Sequence, residues 1–471
     1  MKVRQLHRIL WPVVLGFVSM PLISAAGAPA ASAAPPTPVQ AAWSSFQGAI
    51  ATATATATAQ PLAAGAQNQA YAAAYVRELA QFDLDNQLIT LNPDQPILFR
   101  EPDPLSVPGL NPSNPSGIWN PDNVNYIAVI SGAGTYQLRG LRGNSVDLNF
   151  QAENGFPGND STAPATATLG LSQLTVNPDG TYTVNIGQTP EPGNYLPTTP
   201  ETTLLSIRET FNDWATAVPD QLTLVRTDQS GPPLVNLSTT RLVSAINAAS
   251  AEVIEEGGYW ESYWAALLTR LPPNVVLPAA PTVGGLPTQV SSLDQFDLAP
   301  GQALVIKVAP DADAGYQGLE VADVWGQTLP YATHDSSLNG TQAYLGSDGF
   351  YHFVISPTDP GVPNWINTDD HDQGFVFLRW QRLIPGSFTS ADSPTGELVS
   401  LSDLASVLPS GTPKVTPQQR AVSLFLRDLS VARRIVLSSN PAGPVLAKYL
   451  TQLTFQIGPA ALHTVYPPNV P

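Results

Sequence analysis

The sequence predicts a mainly β protein with flanking helices, arranged as two repeated β-sandwich-like modules, a helical insert between them and C-terminal helices. Three observations carry that prediction. With 47 Pro and 35 Gly among 471 residues, the chain is punctuated by turns rather than built of long helices. Short segments alternate apolar and polar side chains with the period of a strand. Landmarks of the first half also return in the second at nearly the same intervals, the mark of an internal repeat.

The repeat is specific. Asp179-Gly180-Thr181-Tyr182, Gly193-Asn194-Tyr195-Leu196 and Arg208 are matched by Asp348-Gly349-Phe350-Tyr351, Pro363-Asn364-Trp365-Ile366 and Arg379. The Asp-to-Asn spacings are 15 and 16, and the Asn-to-Arg spacings 14 and 15. Each copy is expected to open with a hairpin, Leu174–Val176 turning through Asn177-Pro178-Asp179-Gly180 in the first. Alternation then places Tyr182, Val184 and Ile186 over Tyr351, Phe353 and Ile355 as core-facing sets. The opposite face is Thr181, Thr183 and Asn185 in copy one but Phe350, His352 and Val354 in copy two, so the second copy buries or specialises a face the first leaves polar.

Along the chain, residues 1–33 read as a cleavable secretory signal. Lys2, Arg4 and Arg8 precede an apolar run from Trp11 to Ile23, and Ala31-Ser32-Ala33 supplies the small-residue cleavage site. The run is too short for a spanning helix, which needs about 20 apolar residues, so a secreted or extracytoplasmic protein of the cell envelope, without a stable membrane anchor, is expected. Residues 34–62 are read as a disordered Ala/Thr/Pro linker, because the Ala51–Ala59 alternation has no large apolar group to repay ordering. Residues 63–120 are a helix and loop-rich lead-in, with Tyr71, Tyr75, Leu79 and Phe82 on one helical stripe. Modules are expected at 121–236 and 273–390. Between them, 237–272 is helical, with Ser238 as cap, Leu242, Ile246, Ala249 and Val253 as stripe, and Gly257-Gly258 as an interruption. Residues 391–471 are C-terminal helices, the first capped by Thr416-Pro417-Gln418-Gln419 and carrying the stripe Val422, Phe425, Leu426, Leu429 and Val436. Asn440-Pro441 ends that helix.

Charge excludes some partners. Loss of the leader removes three of 20 basic residues and no acids, leaving 17 against 37 and a formal net charge of −20. Phosphate contacts need clustered Lys and Arg, so nucleic acid is excluded as a partner. The absence of cysteine removes disulfides, thiolate nucleophiles and Cys-ligated metals. No H-E-x-x-H, G-x-S-x-G or phosphate-loop pattern occurs, and no cofactor or metal site is read from the sequence.

Residues in both copies resemble proteins assigned to domain of unknown function 1214. In the first these are Asn120-Pro121-Asp122-Asn123, Gly134-Thr135-Tyr136, Arg139-Gly140 and Arg208 to Trp214. In the second they are Ser337-Leu338-Asn339-Gly340, Asp359-Pro360-Gly361-Val362-Pro363-Asn364-Trp365, His371 and Arg379-Trp380. The resemblance spans most of residues 115–385 and implies an exported actinobacterial member with a β-sandwich fold; it supplies no reaction.

Candidate chemistry concentrates in the second copy. Asp369-Asp370-His371-Asp372 sets carboxylates beside an imidazole, the pattern of a general base with its orienting group. With His334 and Arg379 as an anion anchor, it defines a hydrolase or lyase reading; the plainer alternative is a solvated turn whose Asp residues cap amides. For ligand binding, Asn364, Trp365 and Asn339 are candidates, with Trp260 and Trp264 as an aromatic platform for a glycan or lipid. Core packing is the plainer role for the tryptophans, and the repeated Asn and Arg suit loop bonding and a carboxylate pair at a strand end. The leading functional reading is a secreted protein binding an extracellular or envelope ligand such as a glycan, a lipid or another small molecule.

Overall fold

A computed structural model describes residues 35–91, 94–101, 116–155, 165–229, 236–282, 286, 288–438 and 442–465. The 1–33 leader and the Asn440-Pro441 stop lie outside these residues. Contacts divide the chain into Met1–Thr37 and Pro38–Pro471, and the second unit is the subject below.

Two β modules share one topology. The first contributes β1 (Phe99–Arg100), β2 (Asn123–Val129), β3 (Tyr136–Leu141), β4 (Asp147–Glu153), β5 (Ala165–Gly170), β6 (Thr181–Gly187), β7 (Asn194–Pro197), β8 (Leu204–Thr210) and β9 (Gln221–Arg226). The second contributes β10 (Ala280–Pro281), β11 (Val290–Asp297), β12 (Gln302–Val308), β13 (Tyr316–Ala322), β14 (Ser337–Asn339), β15 (Tyr351–Ser356), β16 (Trp365–Asn367), β17 (Gln373–Gln381) and β18 (Thr395–Ser400). Sheet orders β1-β2-β8-β4-β5 and β7-β6-β3-β9 reappear as β10-β11-β17-β13-β14 and β16-β15-β12-β18, each strand offset by nine. Even the parallel pairs β6–β7 and β15–β16 correspond. Each module is a sandwich with its own core: Phe150, Tyr182, Val184 and Ile207 in the first, Ile306, Phe353, Ile355 and Trp380 in the second.

The polarity difference between copies is present. In β15 both faces are buried, Val354 joining Ala303, Val305, Val362 and Leu404 in a satellite cluster, whereas β6 buries only alternate residues up to its end. The expected opening hairpin is not a ladder. Asn177–Gly180 does turn, with the Asn177 N–H on the Thr181 carbonyl at 2.8 Å, but β6 pairs with β3 and β7, and Thr175 is tied to Asn194 instead.

The modules extend past the expected limits: β1 falls in the lead-in and β18 in the C-terminal region. Residues 38–59, expected as disordered linker, form helix α1 (Pro38–Ala59). Val39, Ala42, Trp43, Phe46, Ala53 and Ala57 recur at helical spacing and are buried. Trp43 and Phe46 anchor the stripe, the alanines allow close approach, and Thr52, Thr54, Thr56 and Thr58 return their hydroxyls to carbonyls one turn back. Helix α1 packs with α2 (Ala66–Thr90) and α3 (Thr239–Arg270) over a face of the second module that includes Ala322, Trp325 and Phe375. Ser238 caps α3 through the Arg241 N–H at 3.2 Å, and α3 runs unbroken through Gly257-Gly258. A side chain at Gly257 would meet Leu79 of α2 at ordinary contact distance, and neither glycine breaks the helix.

Helix α4 (Pro417–Leu437) starts at the expected capping box, but its apolar stripe faces outward, Phe425 being 63% and Val436 83% exposed. The inward face is Arg420, Arg427, Val431 and Arg434. Arg427 donates to the carbonyls of Tyr331 and Ser337, Arg434 to that of Pro121, and both guanidiniums lie over Trp214. Loop carbonyls at the junction of the modules need donors, and three arginines spaced seven apart deliver them. Helices α5 (Gly443–Ile457) and α6 (Pro459–Leu462) close the chain. Among the described residues no helix is long and apolar enough to cross a membrane.

Candidate functional site

The equivalent sheets of the two modules present equivalent residues to a common space. In β2 and β8, Asn125 is opposite Arg208, Ile127 opposite Ser206, and Asn123 opposite Thr210. In β11 and β17, Ser291 is opposite Arg379 and Leu293 opposite Phe377. Where the modules touch, the Thr210 hydroxyl reaches Gln381 at 3.0 Å and Gln381 reaches Gln289 at 3.2 Å. Asp122 pins the junction, accepting from Trp214 at 2.5 Å, Asn339 at 2.6 Å and Tyr316 at 2.7 Å.

Between these sheets and the helices lies a cavity of about 380 Å³. Its sheet side mixes the polar groups Asn123, Asn125, Ser206, Arg208, Gln289 and Arg379 with the apolar Ile127, Leu204, Leu293 and Phe377. Its other side is aromatic: Phe82 from α2, Trp119 from the preceding loop, and Trp260, Tyr263 and Trp264 from α3. Carboxyls of Asp83, Glu101, Glu153 and Glu256 complete it. Trp260 and Trp264 stack with centroids 6.1 Å apart, and the Trp260 indole N–H meets Glu256 at 3.2 Å.

The two repeated arginines are not alike. Arg379 is buried, ion-paired to Glu320 of β13 at 2.7 Å, laid over Phe377, and bonded to the Ile118 carbonyl. Ile118 takes φ 51°, unusual for a β-branched residue, and its N–H is held by the Gly326 carbonyl at 2.9 Å. The register places Gln151 in β4 where Glu320 stands in β13, each two residues beyond the partner of the arginine. Across this ladder the carboxylate two residues from the partner of Arg208 is Asp147, on the other side of Asn149, and among the described residues Arg208 makes no ion pair or hydrogen bond. It is half-buried, opening into the cavity.

Burial dominates the local electrostatics. It pushes the Glu101 carboxyl up to about 8 despite the pull of Arg208, with Glu153 and Glu256 adding repulsion. Glu256 is raised to about 7 and Asp83 well above its usual range, by burial first; Glu256 adds to the rise at Asp83. Glu153 is also raised by burial, moderated by the Ser206 hydroxyl at 2.5 Å. Burial, then Arg379, lower Arg208, and Glu153, Glu101 and Asp147 pull it back up.

The histidine constellation takes a different place. His371 is 2% exposed, stacked on Tyr71 at 4.4 Å, with Nδ1 on the carbonyls of Thr368 and Asp369 at 2.8 and 2.9 Å. Neither Asp370 nor Asp372 pairs with its ring among the described residues. Their backbone carbonyls instead accept from Gln67 and from the Leu298 N–H. His334 reaches the Asp369 carboxylate at 3.2 Å, so the two histidines meet one loop residue, yet neither lines the cavity that holds Arg379. Among the described residues no group of three or more metal-ligating side chains is assembled. At the acid–base site expected around His371 the imidazole is buried, whereas Asp370 and Asp372 are exposed on a turn with positive φ at Asp369 and Asp370.

Of the expected ligand-binding residues, Trp260 and Trp264 line the cavity, although Trp264 is nearly buried and bonds Ser116. Asn364, Trp365 and Asn339 do not. Asn364 brackets Tyr344 through both backbone groups, Trp365 donates to the Ser356 carbonyl, and Asn339 holds Asp122. Asn194 plays the same loop-bonding part in the first module. The cavity acids Asp83, Glu101, Glu153 and Glu256 carry no local motif; only the register comparison of Gln151 with Glu320 exposes Arg208.

The architecture is a duplicated β-sandwich protein with a helical layer. Its fold is similar to that of an uncharacterised protein from Burkholderia cenocepacia, at TM-score 0.69 and 24% identity over 77% of this chain and 97% of that one. A second solved structure, the VPA0106 protein from Vibrio parahaemolyticus, aligns at TM-score 0.37 and 10% identity over 69% of this chain and 100% of that one. No family model and no curated protein matches the chain, so the likeness to domain of unknown function 1214 rests on the quoted motif residues.

Proposed function

We propose that the protein binds a small ligand in the cavity between its two modules, and does so outside the cytoplasmic membrane. The observation that carries the reading is the cavity itself, with walls from both modules and two helices that combine a few polar and charged groups with aromatic and aliphatic side chains. A lipid-like molecule with one polar end suits that mixture better than a fully hydroxylated glycan. Export rests on the leader grammar of residues 1–33. The hydrolase or lyase reading through His371 gains no support, because its imidazole is sealed under Tyr71 away from the cavity.

The test uses the repeat. Ser206 corresponds to Phe377, so Ser206→Phe fills the space with a residue the second module already carries at that position. Mass spectrometry of small molecules released on denaturation is expected to find a stoichiometric compound with the wild type and none with Ser206→Phe. Equal recovery from both proteins contradicts the proposal.

A further inference from the structure

The proposal rests on the cavity reading and concerns what the cavity selects. Its two arginines occupy equivalent positions, on strands with the same order and pairing. One is fully engaged by neighbours: Arg379 has Glu320, the Ile118 carbonyl and the Phe377 ring. The other has Gln151 where the glutamate belongs and opens into the cavity; Glu153, Glu101 and Asp147 act on it through space, but among the described residues it makes no ion pair. A guanidinium held away from bulk water needs a partner, because an uncompensated buried charge costs several kcal/mol. Duplication with loss of that partner in one copy leaves the place to a ligand.

We infer that the cavity recognises an organic monocarboxylate with an apolar body, its carboxylate on the Arg208 guanidinium and its body against Trp260, Tyr263 and Phe377. A guanidinium fork matches a carboxylate through two parallel N–H donors. Of the nearby carboxyls, Glu101 is pushed up to about 8 and so offers a proton at neutral pH, while Glu153 is engaged by the Ser206 hydroxyl at 2.5 Å and Asp147 by the Asn149 amide at 2.9 Å. A volume of about 380 Å³ holds roughly a dozen water-sized groups at about 30 Å³ each, the size of an aryl or short alkyl acid. Asn125, opposite Arg208 on β2, and Asn123 add donors on the same side.

The experiment is isothermal titration of the full chain at pH 7 with 3-phenylpropionate and with its uncharged amide. The wild type is expected to bind the acid at least tenfold more tightly than the amide. Arg208→Met should reduce the acid to the level of the amide. Gln151→Glu, which keeps the arginine and supplies the missing partner, should do the same, so a failure of Arg208→Met to fold does not decide the matter. Equal binding of acid and amide overturns the anion assignment while leaving the cavity reading intact, and so does acid binding unchanged in Gln151→Glu. Binding of both compounds that survives in Ser206→Phe overturns the cavity reading itself. No binding of either compound to the wild type overturns the monocarboxylate assignment.

Discussion

Replacing Asp122 by alanine should damage the fold more than almost any other single change at the junction. The side chain is 2% exposed and accepts three side-chain donors, from Trp214, Asn339 and Tyr316 at 2.5, 2.6 and 2.7 Å. Trp214 lies in the first module's segment, whereas Asn339 and Tyr316 belong to strands of the second. The change strands the Trp214 indole N–H, at about 1–3 kcal/mol, while the Asn339 amide keeps the Asn212 carbonyl at 2.9 Å and the Tyr316 hydroxyl keeps Asn120 at 3.1 Å, so Asp122→Ala is expected to lose about 3 kcal/mol. Asp122→Asn keeps the shape and one acceptor oxygen, and the Tyr316 hydroxyl can turn to accept from its new amide; about half that loss is expected. Urea unfolding followed by tryptophan fluorescence measures both. In a double-mutant cycle, Asp122→Ala with Trp214→Phe should cost less than the sum of the singles, because the second change removes the stranded donor. A loss below about 1 kcal/mol for Asp122→Ala would show that the junction is not held by this carboxylate.

Three further outcomes follow from the same structure. Glu101, Glu252 and Glu320 are raised to about 8, and Glu256 to about 7, chiefly by burial. The folded state therefore keeps protons that the unfolded chain sheds above about 4.5. Stability falls as pH rises from 5 to 8, by up to about 1.4 kcal/mol per pH unit for each such group, and levels off above the folded value. Glu101→Gln should flatten that slope in denaturation measured across pH, and an unchanged slope contradicts the assignment. On α4, Phe425→Ser and Leu429→Ser are expected to change stability by less than about 0.5 kcal/mol, whereas Arg434→Met, which strands the Pro121 carbonyl, should cost about 2 kcal/mol; the reverse order in thermal unfolding would place the helix the other way round. Trp43→Ala should cost about 3–5 kcal/mol, and amides of 51–59 should resist hydrogen exchange, which a disordered linker would not.

The sequence was most informative where the repeat spoke for itself. Period-two alternation named Tyr182, Val184 and Ile186 and their counterparts as core, and all six are buried. The specialised second face around Val354 was also legible, because comparing two copies of one strand cancels everything they share. Local composition misled where tertiary partners decide. The Ala-Thr tract lacks bulk, yet Trp43 and Phe46 upstream and the face of α3 opposite give it a surface to bury. On α4, period 3.6 was read correctly but its direction was not: arginine heads that satisfy loop carbonyls turned the polar face inward. Asp370-His371-Asp372 resembles an acid–base site in one dimension, while in three the histidine bonds its own loop and packs beneath a tyrosine. The cavity acids come from α2, α3, β4 and the end of β1, separations that no local motif spans. Arg379, the anion anchor expected from the sequence, is held against Glu320, and that role is proposed instead for Arg208, where the register holds glutamine.

A crystal structure of the protein with 3-phenylpropionate tests the central claim most directly. The account predicts ligand density between the sheets, with the carboxylate within hydrogen-bond distance of the Arg208 guanidinium and the ring against Trp260. A cavity filled only by ordered water, with the compound elsewhere on the protein, would contradict it.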